Sequence, residues 1–297
     1  PKPNYNLGVN SLSHGAMTGQ MLEKIEEVLL KEQPDRVVVY GDTNSTIAGA
    51  LAAKKLHIKV AHVEAGLRSF NMKMPEEINR IIADRICDTL FCPTDSAVVN
   101  LSREGIDSHI LRTGDVMLDA ALFFSNLAKK PDVILPDEYV LTTLHRAENT
   151  GDIQRLRSIF SAFEDIGRKM PVVLPLHPRT RKIIEDQSIF IDNSRVIIMN
   201  PVGYLEMIYL LQHCFSVMTD SGGMQKEAFF FKKPCITLRD ETEWMELVEN
   251  GFNIITGADK DKILSAFENQ RYDMDFNMDL YGNGNASGMI ADYFSSQ

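Results

Sequence analysis

The sequence lacks an excess of basic residues. Its 31 lysines and arginines are outnumbered by 41 aspartates and glutamates, which gives a formal net charge of −10. An acidic chain of this kind is a poor candidate for binding nucleic acid, or an anionic membrane surface, through bulk charge. Any anionic ligand must therefore be held by a few well-placed groups.

Long apolar runs and cysteine are also scarce. No apolar stretch is long enough to span a membrane, so we expect no membrane segment. The spacing of the four cysteines matches no metal motif, which favours reduced, buried thiols and predicts no metal site. The cytoplasm is the compartment that this cysteine usage predicts. These cysteines are Cys87, Cys92, Cys214 and Cys235.

Two nucleotide-binding signatures are absent as well. The glycine-containing stretch "TDSGGMQKE" follows neither the Walker pattern nor G-x-G-x-x-G. ATPase and NAD-dependent dehydrogenase chemistry are therefore not indicated, and no cofactor is predicted.

Short apolar runs alternate with segments of helical period along the whole chain. The runs predict strands at residues 36–40, 58–63, 89–92, 109–112, 139–144, 172–176, 195–199, 214–218 and 235–238. Helices are predicted between them, for example at residues 21–31, 46–56, 75–84, 153–168 and 224–231. This alternation is typical of parallel sheets covered by helices on both faces.

A polar, proline-bearing stretch near Asp132 interrupts the series, which restarts at Tyr139. We interpret the stretch as a linker between two Rossmann-like domains. The first is predicted to span residues 1–131 and the second residues 132–297, with the last helix of the chain packing back on the first domain.

Six polar clusters stand just after predicted strands, where ligands bind in such sheets. They read "YGDTNST", "HVEAGLRS", "LHRAENT", "LHPRTRK", "TDSGGMQKE" and "LRDETEW". Strand ends are polar in every protein of this class, so one cluster alone would mean little. Six clusters favour a functional site.

The cluster at Ser221, Gly222 and Gly223 is typical of an anion site at the start of a helix. Its backbone N–H groups and the helix dipole would favour a phosphate, and Glu227 could meet a neighbouring hydroxyl such as a ribose. The alternative is an N-cap without a ligand.

Carboxylates follow the first two predicted strands, at residues 36–40 and 58–63. Asp42, Glu64 and the adjacent pair Glu76 and Glu77 could perform acid–base chemistry together. Alternatively, Asp42 caps a helix, and one acid of the pair only complements a helix dipole. Basic side chains that could hold phosphates or a sugar carboxylate stand in the remaining clusters. They are Arg68, His145, Arg146, His177, Arg179 and Arg239.

The ordered motifs resemble one family, the non-hydrolysing UDP-N-acetylglucosamine 2-epimerases. The matching strings are "YGDTNST", "HVEAGLRS", "MPEEINR", "LTTLHRAENT", "TDSGGMQKEAFF" and "LRDETEW", and they cover nearly the whole chain. The resemblance implies a glycosyltransferase-B-like fold of two Rossmann-like domains with the active site between them. It also implies inversion at C2 of UDP-N-acetylglucosamine, by elimination and re-addition of UDP, for surface polysaccharide synthesis.

Carried over motif by motif, the resemblance implies that Asp42, Glu64, Glu76 and His145 are catalytic. Three further residues match ligand contacts of the family: Ser221 and Gly222 match diphosphate binders, and Glu227 matches the acceptor of a ribose hydroxyl. Alternative functions are a hydrolysing 2-epimerase, an inactive UDP-binding module and a 2-epimerase of UDP-2,3-diacetamido-glucuronate. "SFNMKMPEEINR" resembles the last group most closely.

The chain departs from the family pattern at two motifs. No string matches the leading strand and its "G-T-R-P-E" loop, so we expect an N-terminally incomplete first domain with an exposed sheet edge, covered in a homodimer. Ala147 stands where substrate-activated bacterial members usually have a second arginine in "H-R-R-E". That difference weakens an expectation of allosteric control.

Overall fold

The alternation of strands and helices is visible in the computed structural model, which describes residues 2–187, 189, 191, 195–271 and 273–296. Its strands are β1 (Arg36–Tyr40), β2 (Lys59–Val63), β3 (Thr89–Cys92), β4 (Ile110–Arg112), β5 (Val140–Thr143), β6 (Val172–Pro175), β7 (Val196–Met199), β8 (Ser216–Thr219), β9 (Cys235–Thr237) and β10 (Asn253–Ile255). Its helices are α1 (His14–Glu32), α2 (Asn44–Lys55), α3 (Pro75–Ile86), α4 (Asp95–Arg103), α5 (Val116–Ser125), α6 (Ala147–Thr150), α7 (Ile153–Gly167), α8 (Pro178–Asp186), α9 (Tyr204–His213), α10 (Gly222–Phe230), α11 (Met245–Glu249), α12 (Lys260–Glu268) and α13 (Ala286–Ser295).

Contacts within the chain define two compact units. The first contains residues 1–119 and 279–297, and the second contains residues 120–278. The contact-based division thus falls after Asp119, whereas the linker composition places a boundary after residue 131, which stays a prediction. No helix among the described residues is both long and apolar enough to cross a bilayer.

The sheet of the first unit is parallel, in the order β1–β2–β3–β4. Every residue of β3 is buried, as expected for a central strand covered on both faces. Strand β1 lies at one edge of this sheet. The terminal helix α13 belongs to the same unit, where Tyr293 and Phe294 make edge-to-face contacts with Phe91 of β3. The polar side chains of Asp42 and Glu64 stand at the carboxyl ends of β1 and β2.

The sheet of the second unit has the order β10–β9–β8–β5–β6–β7, and all its strand pairs are parallel. The chain adds β6 and β7 on one side of β5 and then returns to add β8 on the other. Ligands of such sheets bind outside the carboxyl ends of the strands at this switch. The ends of β5 and β8 meet there, with Thr143 Oγ1 and Thr219 Oγ1 2.6 Å apart.

The predicted fold class, α/β with parallel sheets, is confirmed. The nine predicted strands are present, two of them with the predicted ends and the others with ends that differ by at most two residues. The sequence missed β10, because only two of its three residues, Ile254 and Ile255, are apolar. The predicted strand at 214–218 starts later, at Ser216, because Cys214 is the C-cap of helix α9.

Candidate active site

Two carboxylates of the first unit stand at the carboxyl ends of neighbouring strands. Asp42 follows β1 after Gly41, and Glu64 follows β2 directly. Both Gly41 (φ +62°) and Glu64 (φ +73°) have left-handed backbone conformations. The position of Gly41 favours glycine because of this backbone conformation, and a Cβ there would be in ordinary contact with Glu64 Oε2 at 3.4 Å. Glu64 therefore lies beside the segment that leads to Asp42, and a glutamate in a left-handed conformation is typical of a functional site.

A buried arginine of α3 holds Asp42 in place. Arg80 donates from Nε and Nη2 to Asp42 Oδ2, at 3.0 and 2.7 Å, and from Nη1 to Glu77 Oε2 at 2.8 Å. The neighbouring Asn79 donates to the backbone carbonyl of Asp42 at 2.9 Å. A fork-shaped guanidinium fixes direction as well as distance, so Asp42 has one preferred orientation.

The two adjacent acids of α3 have different environments. Glu77 is 1% exposed and accepts hydrogen bonds from Ser69 N, Ser69 Oγ and Phe70 N. Burial alone would raise the pKa of Glu77, but these N–H donors and the Arg80 guanidinium outweigh it and lower that pKa. Glu76, in the same first turn, is half-buried and therefore accessible to a ligand.

The same unit contains a buried ion-pair cluster, which is formed by His62, Asp84, Arg68 and Glu104. His62 donates from Nδ1 to Asp84 and from Nε2 to the carbonyl of Gly41, both at 2.7 Å. Because both partners are acceptors, both ring nitrogens can donate only when the ring is protonated. Burial alone would lower the pKa of His62, but the hydrogen bond and charge of Asp84 outweigh it and raise that pKa. His62 thereby fixes the peptide that precedes Asp42.

Arg68 belongs to this buried cluster. Its guanidinium donates to Asp84 at 2.7 Å and to both oxygens of Glu104, at 2.6 and 2.8 Å, and it is 2% exposed. The structure thus gives Arg68 a structural role, and its predicted contact with substrate stays a prediction.

In the second unit, the segment after β5 is tied to the end of β8. Asp220 is fully buried, and its carboxylate accepts from the backbone N–H groups of His145 and Arg146 at 3.1 and 2.9 Å. The side chain of His145 remains half exposed. The predicted histidine is thus brought beside the predicted anion site at Ser221.

Helix α10 begins at that anion site. Ser221 is its N-cap and accepts from Met224 N at 3.4 Å, while Gly222 and Gly223 form the first turn. A Cβ on Gly222 would lie 2.6 Å from Glu243 Oε1, so a larger residue would require the Glu243 carboxylate or the start of the helix to move. Glu243 in turn accepts from the buried Arg239 at 3.0 Å. Arg239 therefore supports the start of α10 from behind.

Glu227 lies further along α10 and is 6% exposed. Burial raises the pKa of Glu227, although a hydrogen bond with Tyr204 opposes that rise. Its carboxylate has acceptor capacity for a second donor beside the Tyr204 hydroxyl.

A cavity of about 440 Å³ opens beside these groups within the second unit. His145, Ser221, His177 and Arg179 all line it, together with apolar side chains such as Val202 and Met207. His177 is the N-cap of α8 and accepts from Arg179 N at 3.2 Å. A pocket with apolar walls and a few polar groups suits an organic anion.

The structure therefore collects the predicted residues into two groups, one in each unit. The sequence missed their partners: Arg80 and His62 in the first unit, and Asp220 and Tyr204 in the second. Asp220 alone carried a readable signal, because it immediately precedes the predicted anion site at the end of a strand.

Solved structures share this architecture. The UDP-GlcNAc 2-epimerase of Methanocaldococcus jannaschii, solved in complex with UDP-GlcNAc and UDP, matches with a TM-score of 0.91 and 44% identity, over 100% of this chain and 85% of that chain. The Neisseria meningitidis enzyme bound to UDP-GlcNAc matches with a TM-score of 0.88 and 30% identity, over 100% and 86%. Fold and site thus define the class, an α/β enzyme with the glycosyltransferase-B-like fold of these epimerases.

The chain belongs to the UDP-N-acetylglucosamine 2-epimerase family, whose model matches residues 1–295. A Pseudomonas aeruginosa relative, named UDP-2,3-diacetamido-2,3-dideoxy-D-glucuronate 2-epimerase, is 55% identical over 99% of this chain and 84% of its own length. The M. jannaschii UDP-N-acetylglucosamine 2-epimerase is 47% identical over 90% and 77%. The predicted family is therefore confirmed, and the protein is an epimerase.

Proposed function

We propose that the protein is a non-hydrolysing 2-epimerase of a UDP-2-acetamido sugar. The observation that carries this proposal is the pair of accessible carboxylates Asp42 and Glu64 at the carboxyl ends of β1 and β2, together with the half-buried Glu76 in the first turn of α3. Removing a proton from carbon and returning one to the opposite face requires acid–base groups of this kind.

The reaction that we propose proceeds in two steps. A carboxylate removes the proton from C2, the electron pair forms a C1–C2 double bond, and the C1–O bond to UDP breaks. The products of this step are UDP and a 2-acetamidoglucal. In the second step the diphosphate oxygen bonds to C1 again, while C2 receives a proton on the opposite face. We assign the proton transfers to Asp42, Glu64 and Glu76.

The second unit would hold the leaving group. The hydroxyl of Ser221, the backbone N–H groups of Gly222 and Gly223 and the side chains of His145 and Arg146 can neutralise the diphosphate charge that develops as the C1–O bond breaks. Glu227 would accept from a ribose hydroxyl. His177 and Arg179, on the cavity wall, would supply further contacts to the ligand.

The diacetamido-glucuronate nucleotide is the first substrate to test, because the relative with that name is 55% identical. UDP-GlcNAc is the second candidate, supported by the 47% identical relative. A uronate carboxylate would need a cation, and Arg179 is exposed at the cavity. The ratio of kcat/KM for the two nucleotides, measured side by side, decides between them.

A proton NMR time course in D2O tests the reaction type. We expect a new UDP-sugar with inverted C2, with deuterium at C2 and no net release of UDP. Accumulation of free sugar and UDP would instead indicate a hydrolysing enzyme. If UDP binds in a calorimeter but no deuterium enters either nucleotide, the protein is a UDP-binding module.

We further propose a cytoplasmic homodimer that supplies surface polysaccharide synthesis. The four free thiols support a reducing compartment. The exposed edge strand β1, where Tyr40 is 62% exposed, supports a contact that covers it. Light scattering over a concentration series tests the dimer.

A further inference from the structure

Asp220 is the most buried carboxylate of the candidate site, and the proposed reaction gives it no role. It is 0% exposed at the end of β8, one residue before the N-cap of α10. Its oxygens accept from His145 N, Arg146 N and Asn149 Nδ2, at 3.1, 2.9 and 3.3 Å. All three donors belong to the segment that follows β5.

The same carboxylate also faces a ring nitrogen. Asp220 Oδ1 lies 3.4 Å from His145 Nδ1, within ion-pair distance. The His145 side chain is 50% exposed and lines the cavity of the second unit. Because Nδ1 is next to the buried carboxylate, Nε2 is the nitrogen available to a ligand. Carboxylates next to histidines commonly fix the tautomer and the ring orientation in this way.

We propose that Asp220 is a positioning residue that holds the His145 ring with Nδ1–H directed at its carboxylate. This inference deepens the proposed function and rests on it for the catalytic consequence. In its cationic form, the oriented ring donates from Nε2 to the diphosphate oxygen as the C1–O bond breaks. When UDP adds back, that oxygen forms its bond to C1, and the hydrogen bond from Nε2 is released.

The tautomer of His145 tests the positioning directly, whether or not the protein is active. The full chain is labelled with ¹⁵N-histidine, and His145 is assigned among the seven histidines by the signal lost in His145→Gln. At a pH where the ring is neutral, we expect the Nδ1–H tautomer in the wild type and mainly the Nε2–H tautomer in Asp220→Asn. The same tautomer in both proteins would overturn the proposal.

A double-mutant cycle tests the catalytic consequence. Asp220→Asn should lower kcat about 100-fold, the lower end for a misplaced acid–base group, with KM changed less than about threefold. In the His145→Gln background the same substitution should change kcat by less than about threefold. Equal losses in both backgrounds would show a purely structural role and refute the proposal.

Asp261→Asn is the matched control, because Asp261 is an exposed aspartate of the same unit in helix α12. It should leave both the tautomer and kcat unchanged. If neither nucleotide sugar reacts with the wild type, the proposed function fails, while the tautomer result still decides the positioning of His145.

Discussion

The two units hold their functional groups by different physical means. In the first unit, Asp42 is held by an ion pair with Arg80, which also pairs with Glu77. His62 is hydrogen-bonded to the carbonyl of Gly41, the residue before Asp42. In the second unit, backbone N–H groups at the start of α10 form the candidate anion site, Glu243 lies against Gly222, and Asp220 accepts from the backbone N–H groups of His145 and Arg146. This difference suits the proposed roles. Proton transfer needs side chains that gain and lose charge while they keep a fixed orientation. Binding a diphosphate needs hydrogen-bond donors that do not reorganise.

The largest expected effect separates chemistry from binding. We expect Glu64→Gln to lower deuterium exchange at C2 about 1,000-fold, because the amide cannot accept the proton, and to leave UDP affinity within about twofold. NMR exchange and calorimetry measure the two quantities. The control is Glu23→Gln, an exposed glutamate of helix α1, which should change neither. Normal exchange in Glu64→Gln would remove Glu64 from the mechanism.

The second prediction concerns the stability of the ion-pair network. Arg80→Met leaves the buried Glu77 carboxylate without its cation, and breaking a buried pair in this way costs about 3 kcal/mol of unfolding free energy. Urea denaturation measures that loss. Arg271→Met removes an ion pair with Asp273 in which both side chains are over 70% exposed, and it should change stability little. Equal losses in the two variants would mean that the buried network contributes no more to stability than an exposed ion pair does.

The third prediction is specific to the second unit. Gly222→Ala places a methyl group 2.6 Å from Glu243 Oε1, so either the Glu243 carboxylate, which is held by Arg239, or the start of α10 must shift. We expect UDP affinity to fall about 30-fold, because several N–H donors move together, which corresponds to about 2 kcal/mol. Gly19→Ala in α1, where a Cβ meets nothing within 4 Å, is the control and should leave UDP affinity unchanged. Unchanged affinity in Gly222→Ala would argue against an anion site here.

How much of this could be predicted follows from what each motif encodes. Asp42, Glu64, His145 and Ser221 follow strands, and parallel strands bring their carboxyl ends to one edge, so their grouping within each unit was predictable. Their partners were not. Arg80 reaches Asp42 across 38 positions of sequence, and Asp220 reaches His145 across 75. Such contacts depend on strand order and helix packing, which single residues do not reveal.

The two buried arginines also show that the sequence does not reveal long-range side-chain contacts. Arg68 and Arg239 stand at strand ends like the ligand-facing residues, so their sequence position suggested a ligand contact. In the structure both side chains are buried and pair with acids, Glu104 and Glu243 respectively, and their predicted contacts with a ligand stay predictions. Burial of an arginine with its acid partner is a property of the packed fold and leaves no local sequence signal.

The smallest predicted effect compares the two buried glutamates through pH. The pKa of Glu77 is lowered in the folded protein, so its contribution to stability is present above the unfolded pKa, about 4.3, and is lost as pH falls through the folded pKa. The pKa of Glu227 is raised, so the folded state binds the proton more tightly than the unfolded state does. Its contribution therefore has the opposite sign: stability increases as pH falls through the raised folded pKa towards the unfolded one.

Urea denaturation of wild type, Glu77→Gln and Glu227→Gln between pH 7 and pH 4 measures both effects. Relative to wild type, Glu77→Gln should lose less stability on acidification and Glu227→Gln should lose more, each by about 1 kcal/mol. Differences of the same sign in both variants would contradict the contrast between a unit whose buried carboxylate has a pKa lowered by its partners and one whose carboxylate has a pKa raised by burial.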